Sequence, residues 1–170
     1  MAKRIGPVVS SGHLASGALP ALSELEFGMI LMGHAFERWM VRCMAAAGVP
    51  GLSPLAVLVL HNVNHRGRPK TLADIALVLN VEEAHLINYA VKKLAALGLV
   101  RTGRAGKEKV VAITEAGREL CLRYREIRET LLVAPILRTG IDPDRLSEIA
   151  AMLRALSGSY DQAARAAASL

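Results

Sequence analysis

The chain has 170 residues, 52% of them hydrophobic and 21% charged, which is ample material for a buried core and argues against disorder over most of its length. The formal net charge of +6 is concentrated: nine basic residues and only four acidic ones lie between Arg66 and Lys109, a local surface that attracts polyanions such as DNA, RNA or anionic lipid. Cys43 and Cys121 are too distant in sequence for a metal-type pair and too few for a disulfide scaffold, no apolar run reaches the ~18 residues that cross a bilayer, and the start, with Lys3 and Arg4 beside Gly6 and Pro7, has no continuous signal core. A cytoplasmic protein with no membrane partner is expected, its two cysteines buried as small apolar residues.

Residues 1–20 mix Gly, Pro, Ser and Ala and predict a flexible arm that is loose unless a partner holds it. From about Leu22 to Ala47 the residues Leu25, Met29, Met32, Phe36, Trp39, Met40 and Cys43 recur at helical spacing, and Ile30, Leu31 and Val41 widen the stripe. A helix apolar on more than one side needs partners on more than one side. Ser53 and Pro54 predict an N-cap and first turn for a second helix running to about His65. A basic loop, Arg66 to Lys70, comes next. Thr71 with Asp74 reads as a capping-box variant opening a short helix, and Asn80 marks the turn after it. The next helix, Glu82 to Leu97, turns Leu86, Ile87, Ala90, Val91 and Leu94 inward and closes at Gly98. Two helices joined by so short a turn outline a helix-turn-helix.

Leu99 to Thr102 and Lys109 to Ile113 then predict two strands around a basic turn, Gly103 to Lys107, with Gly103 and Gly106 framing a projecting tip. Thr114 caps a helix from Glu115 to about Ala134, with Leu120, Tyr124, Ile127 and Leu131 as its stripe, before Pro135 and Gly140 disturb it. Asp142 and Pro143 start a last helix carrying Leu146, Ile149, Met152, Leu153 and Leu156, which fades into the alanine-rich end.

The run Thr71 to Gly117, TLADIALVLNVEEAHLINYAVKKLAALGLVRTGRAGKEKVVAITEAG, resembles the winged-helix core of the MarR family of bacterial regulators. The short helix, the longer helix ending in Leu94, Leu97, Gly98, Leu99 and Val100, the basic hairpin and the closing Ile113 to Gly117 stand in the family's order and spacing. The resemblance extends more loosely over residues 22–157. It implies a mainly α fold with a small β-hairpin wing: an N-terminal arm (1–20), a dimerisation helix (21–51), a winged helix-turn-helix core (52–114) and C-terminal dimerisation helices (115–170). It further implies a homodimeric DNA-binding regulator, typically a repressor, with an effector pocket near the dimerising helices, for which Trp39, His61 and Tyr124 are candidates beside the alternative of plain core packing. Two features depart from the family pattern. Glu82 and Glu83 stand where small hydroxyl residues are common, and the hairpin lacks the usual Asp-Arg pair.

If Glu82 to Leu97 enters a major groove, His85, Asn88, Tyr89, Lys92 and Lys93 are the side chains not needed by the core. Asn88 suits bidentate pairing with adenine, His85 and Tyr89 suit base edges or phosphate, and the two lysines neutralise backbone; the alternative is a solvated helix face. Arg101, Arg104, Lys107 and Lys109 on the hairpin suit phosphate or a minor groove, or else simply discourage edge pairing. Arg66 to Lys70 spells the core of a minor-groove AT-hook, which would make Arg68 a DNA contact, but its place between two helices also suits an ordinary loop. His61 and His65, four apart, have no obvious further ligands, so no metal is expected. No catalytic pairing or glycine-rich phosphate loop stands out, so neither an enzyme nor a cofactor is expected. The expected partners are double-stranded DNA with an approximately palindromic operator, a second copy of the chain and a small-molecule effector. The rival reading is a winged-helix protein-interaction module, signalled by the acidic start of the recognition helix.

Overall fold

Side-chain caps open helices at Ser53, Thr71, Thr114 and Asp142 in the computed structural model, which describes residues 6–170. Lys3 and Arg4, weighed above for a signal segment, lie outside the described residues. The chain divides into two compact units, one ending at Ile127 and one comprising Arg128–Leu170.

In the first unit the segment before the first helix makes one 3₁₀ turn, Gly12–Ala15. Two bonds join the described part of the arm to that helix: Ser23 Oγ donates to the Leu14 carbonyl at 2.7 Å and the Val8 N–H donates to Glu24 Oε1 at 2.9 Å. Helix α1, Pro20–Ala46, buries only Ser23, Met40, Cys43 and Met44, whereas Met29, Ile30, Leu31, Met32 and Phe36 are exposed on the single chain. Gly48, with φ +108, turns the chain out of α1. Ser53 then accepts the Ala56 N–H and Pro54 opens α2, Pro54–Asn64. This helix is the hub of the unit. Ala56, Val57, Val59, Leu60 and Val63 are fully buried, and α2 packs on α1, on the next two helices of the chain and on the sheet.

After a left-handed turn at Arg66 and Gly67 the chain enters β1, Lys70–Thr71. The sequence predicted only a loop there. Thr71 ends the strand and caps α3, Leu72–Leu79: its hydroxyl accepts the Asp74 N–H at 3.0 Å, and Asp74 Oδ2 accepts the Thr71 N–H at 3.1 Å, a complete capping box. Asn80, at φ 51, makes the turn to α4, Ala84–Ala96. This helix starts two residues later than Glu82 and without a side-chain cap, so the two glutamates precede it rather than form its first turn. Ile87, Ala90, Val91 and Leu94 are buried as expected, while Leu86 is exposed.

The hairpin is longer and tighter than predicted. Strands β2, Val100–Ala105, and β3, Glu108–Ile113, pair antiparallel with Val100 opposite Ile113 and Ala105 opposite Glu108, leaving a two-residue turn of Gly106 and Lys107. Gly106 has φ +61, the positive value such a turn demands at its first position, whereas Gly103 lies within the strand opposite Val110 instead of framing the tip. Strand β1 pairs with β3, giving the order β1-β3-β2. Helix α5, Glu115–Arg128, closes the unit, burying Leu120, Cys121 and Tyr124; Arg123 Nε donates to the Ala47 carbonyl at 3.0 Å and Cys43 Sγ to the Tyr124 carbonyl at 3.6 Å. Both cysteines are buried, and neither is in a disulfide.

In the second unit the helical backbone does not stop at Ala134. A π turn over Glu129–Val133 leads into α6, Ala134–Arg138, so the helical ladder changes register just ahead of Pro135, which has no N–H to continue it. Asp142 caps α7, Pro143–Ala167, by accepting the Asp144 N–H at 2.9 Å. Leu146, Ile149 and Met152 recur on one face of α7 and are exposed on the single chain. Among the described residues no helix is long and apolar enough to cross a membrane.

Candidate nucleic-acid interface

A capped α3, a left-handed residue at Asn80 and a glycine at Gly98 set α4 between α3 and the hairpin. Because its apolar residues sit at 87, 90, 91 and 94, its opposite face is left polar: His85, Tyr89 and Lys92 are exposed, Tyr89 to 69%, and Asn88 is half-buried. Asn88 Oδ1 accepts a hydrogen bond of 3.1 Å from Lys109 Nζ, so α4 and the hairpin are joined side chain to side chain. Lys93, grouped with Lys92 from the sequence, is placed differently: its ammonium donates to the Gly51 carbonyl, tying α4 to the loop between α1 and α2. Nothing local in the sequence signals that bond, which spans 42 positions.

Arg101, Arg104, Lys107 and Lys109 are all exposed on the hairpin, Lys107 in the turn itself. The root of the hairpin is fastened by Thr114, whose hydroxyl lies 2.7 Å from the Gly98 carbonyl and 2.9 Å from that of Leu99, and accepts the Gly117 N–H at 3.1 Å. Gly117 is where α5 crosses this root most closely: a β-carbon there would collide with the Leu99 carbonyl oxygen and come within 2.6 Å of Ile113 Cδ1.

Arg68 is exposed in the loop before β1. That loop is not the extended strip of a minor-groove hook, since Arg66 and Gly67 both have φ above +60. It borders a cavity of about 530 Å³ against α3. Lys70, which the sequence left in the loop, is buried, with Nζ donating to the Asn62 backbone carbonyl and lying 3.3 Å from Asn62 Oδ1.

Of the three candidates for an effector pocket, two meet. The His61 and Tyr124 rings stand edge-on at 4.6 Å, and Trp39 is half-buried against the same core. His61 Nε2 is buried with no hydrogen-bond partner among the described residues, and burial holds the ring's pKa below the usual histidine value. His61 and His65 belong to no cluster able to hold a metal ion among the described residues.

Residues 52–117 match the family described as winged helix DNA-binding domain. No curated protein matches the chain. Among solved structures, the transcriptional regulator BldR from Sulfolobus solfataricus superposes with a TM-score of 0.68 at 22% identity, over 82% of this chain and 98% of its own. A mutant of MarR from E. coli, solved in complex with operator DNA, gives 0.64 at 13% identity over 83% and 99% of the two chains. CouR from Rhodococcus jostii, solved bound to p-coumaroyl-CoA, gives 0.63 at 18% identity over 83% and 95%.

Proposed function

We propose, from a winged helix DNA-binding domain set in a chain with the fold of the MarR regulators, that this protein is a DNA-binding transcriptional regulator. The observation that carries this reading is the bond between Asn88 and Lys109, which holds a polar helix face and a basic hairpin as one surface. At 1.5 Å per residue the 13 residues of α4 extend for about 20 Å, a length suited to a major groove. His85, Asn88 and Tyr89 meet base edges, Lys92 neutralises phosphate, and Lys93 adds charge from its anchored position. Arg101, Arg104, Lys107 and Lys109 follow the backbone or enter the minor groove, and Arg68 adds a phosphate contact.

The active species is a homodimer in the cytoplasm, without catalytic activity, that represses by occupying a promoter. Exposed apolar residues on α1 and on α7 support dimerisation, because surface of that kind rarely stays open to water. Two copies read half-sites of an approximate palindrome about one helical turn apart. A small-molecule effector acts through the region of Trp39, His61 and Tyr124, where an unsatisfied buried nitrogen awaits a polar partner.

The test is to titrate the purified protein against a pool of random duplexes at several salt concentrations and to sequence what is bound. Enrichment of a palindrome is expected. Failure to bind any duplex at low salt would overturn the reading in favour of a protein-interaction module, for which the exposed Glu82 and Glu83 are the natural contacts.

A further inference from the structure

We infer that the cavity between the end of α2 and α3 is a binding site for a small amphipathic anion, a carboxylate or phosphate ester with an apolar body, gripped by Arg66, Arg68 and Lys70. The site does not rest on the DNA-binding reading.

Its volume of about 530 Å³ is that of a small-molecule pocket. Three cations border it against one carboxylate, Asp74, which accepts the Thr71 N–H and is held below the usual range by that bond and by the charges of Arg68 and Lys70. Among the described residues neither Arg66 nor Arg68 has a carboxylate within salt-bridge distance. Lys70 is only 9% exposed and bonds to neutral oxygens of Asn62 alone. Burial lowers its pKa, and the charges of Arg68 and Arg66 lower it further. A buried cation flanked by two more, facing the single carboxylate of Asp74, leaves positive charge in excess, an arrangement that a bound anion relieves.

The opposite wall is apolar. Leu77 and Val78 are 81% and 67% exposed on α3, so an anion bearing a hydrocarbon or aromatic body covers surface that is otherwise wet. The turn that delivers the arginines is itself unusual. Arg66 sits at φ 64 and ψ 7, a left-handed conformation that a β-carbon disfavours and that glycine takes freely. Retaining arginine at such a place is what a site needing that guanidinium would do.

The experiment titrates phenyl phosphate, benzoate and inorganic phosphate into the full chain without DNA, following heat and the amide shifts of residues 62–78. Saturable binding of phenyl phosphate or benzoate at those residues is expected, tighter than inorganic phosphate, and the better of the two identifies the head group. Arg66→Gly should weaken it at least about tenfold, the effect of losing one charge-assisted hydrogen bond, while its Tm stays equal or rises because the turn is relieved. Leu77→Ser should weaken phenyl phosphate and leave inorganic phosphate unchanged. Absence of saturable binding, shifts mapping elsewhere, equal affinity for inorganic and phenyl phosphate, or an unaltered Arg66→Gly affinity would each overturn the site. If no small anion binds while Arg66→Gly flattens the salt dependence of duplex binding, the cations serve backbone phosphate and the inference fails, with the DNA-binding reading intact.

Discussion

Asn88 on α4 accepts the Lys109 ammonium of β3 on one lone pair of its side-chain carbonyl, which leaves the second lone pair and both NH₂ hydrogens for a base. Bidentate pairing with adenine uses one acceptor and one donor, so it can form while the Lys109 bond fixes the rotamer of the amide. Lys109→Met should therefore lower adenine preference at the contacted position as well as overall binding, and Asn88→Ala should erase the preference in either background. Sequencing of bound duplexes for the two single variants and the double variant checks this, and strict additivity would disprove the coupling.

Lys107 occupies the turn of the hairpin beside Gly106 and is exposed. If it neutralises one phosphate in each copy, Lys107→Ala reduces the slope of log K against log salt by about 1.8 for the dimer. Binding isotherms at four or five salt concentrations measure that slope. An unchanged value would remove the tip from the interface.

Gly117→Ala should destabilise the fold by about 1–3 kcal/mol or more, since the added carbon meets the Leu99 carbonyl oxygen, which is backbone and cannot turn aside. Thr114→Val, which removes the cap on Gly117 but adds no clash, should cost about 1 kcal/mol. Denaturant unfolding of both variants gives the ordering. A more stable Gly117→Ala protein would mean that α5 does not cross the hairpin root as described.

His61 titrates below the ordinary histidine value because burial disfavours its charged form. The unfolded chain then binds a proton more readily than the folded one, so stability is full above about 6.5 and falls as pH drops from there toward the lowered folded value. His61→Phe keeps a ring edge-on to Tyr124, removes the orphan nitrogen and should abolish that part of the acid dependence while preserving stability at neutral pH. Thermal melts of both proteins between pH 5 and pH 8 compare the two slopes; parallel curves would place the titration elsewhere.

What could be read from the residues was local. The caps at Ser53, Thr71, Thr114 and Asp142 and the left-handed Asn80 and Gly98 depend on neighbours within about four positions, and each stands where its residue type predicted. Strand β1 was invisible because two residues carry no alternation; it exists only through pairing with Val110 and Val111, some forty positions away. The late start of α4 has a similar cause, since Glu82 and Glu83 are fair helix formers that make no cap, and the turn after Asn80 takes them up. At the interface the outward residues of α4 emerged from periodicity, yet the bonds of Asn88 to Lys109 and of Lys93 to Gly51 did not, because long-range polar contacts leave no spacing to recognise. The same holds for the cavity beside Arg66, whose walls come from a helix end, a strand and a second helix.

The two-residue strand β1 makes the wing a cantilever. Where Lys70 and Thr71 flank it, β3 is held from both sides and rooted by the buried Val111 and Ile113; beyond Val110 only β2 supports it, and every residue from Arg101 to Lys109 is exposed. Stiffness thus declines from root to tip. Adding one residue to each strand beside the Gly106 turn would lengthen the arm without disturbing the pairing of Val100 with Ile113, so reach along a duplex is a property this scaffold can vary without rebuilding its core.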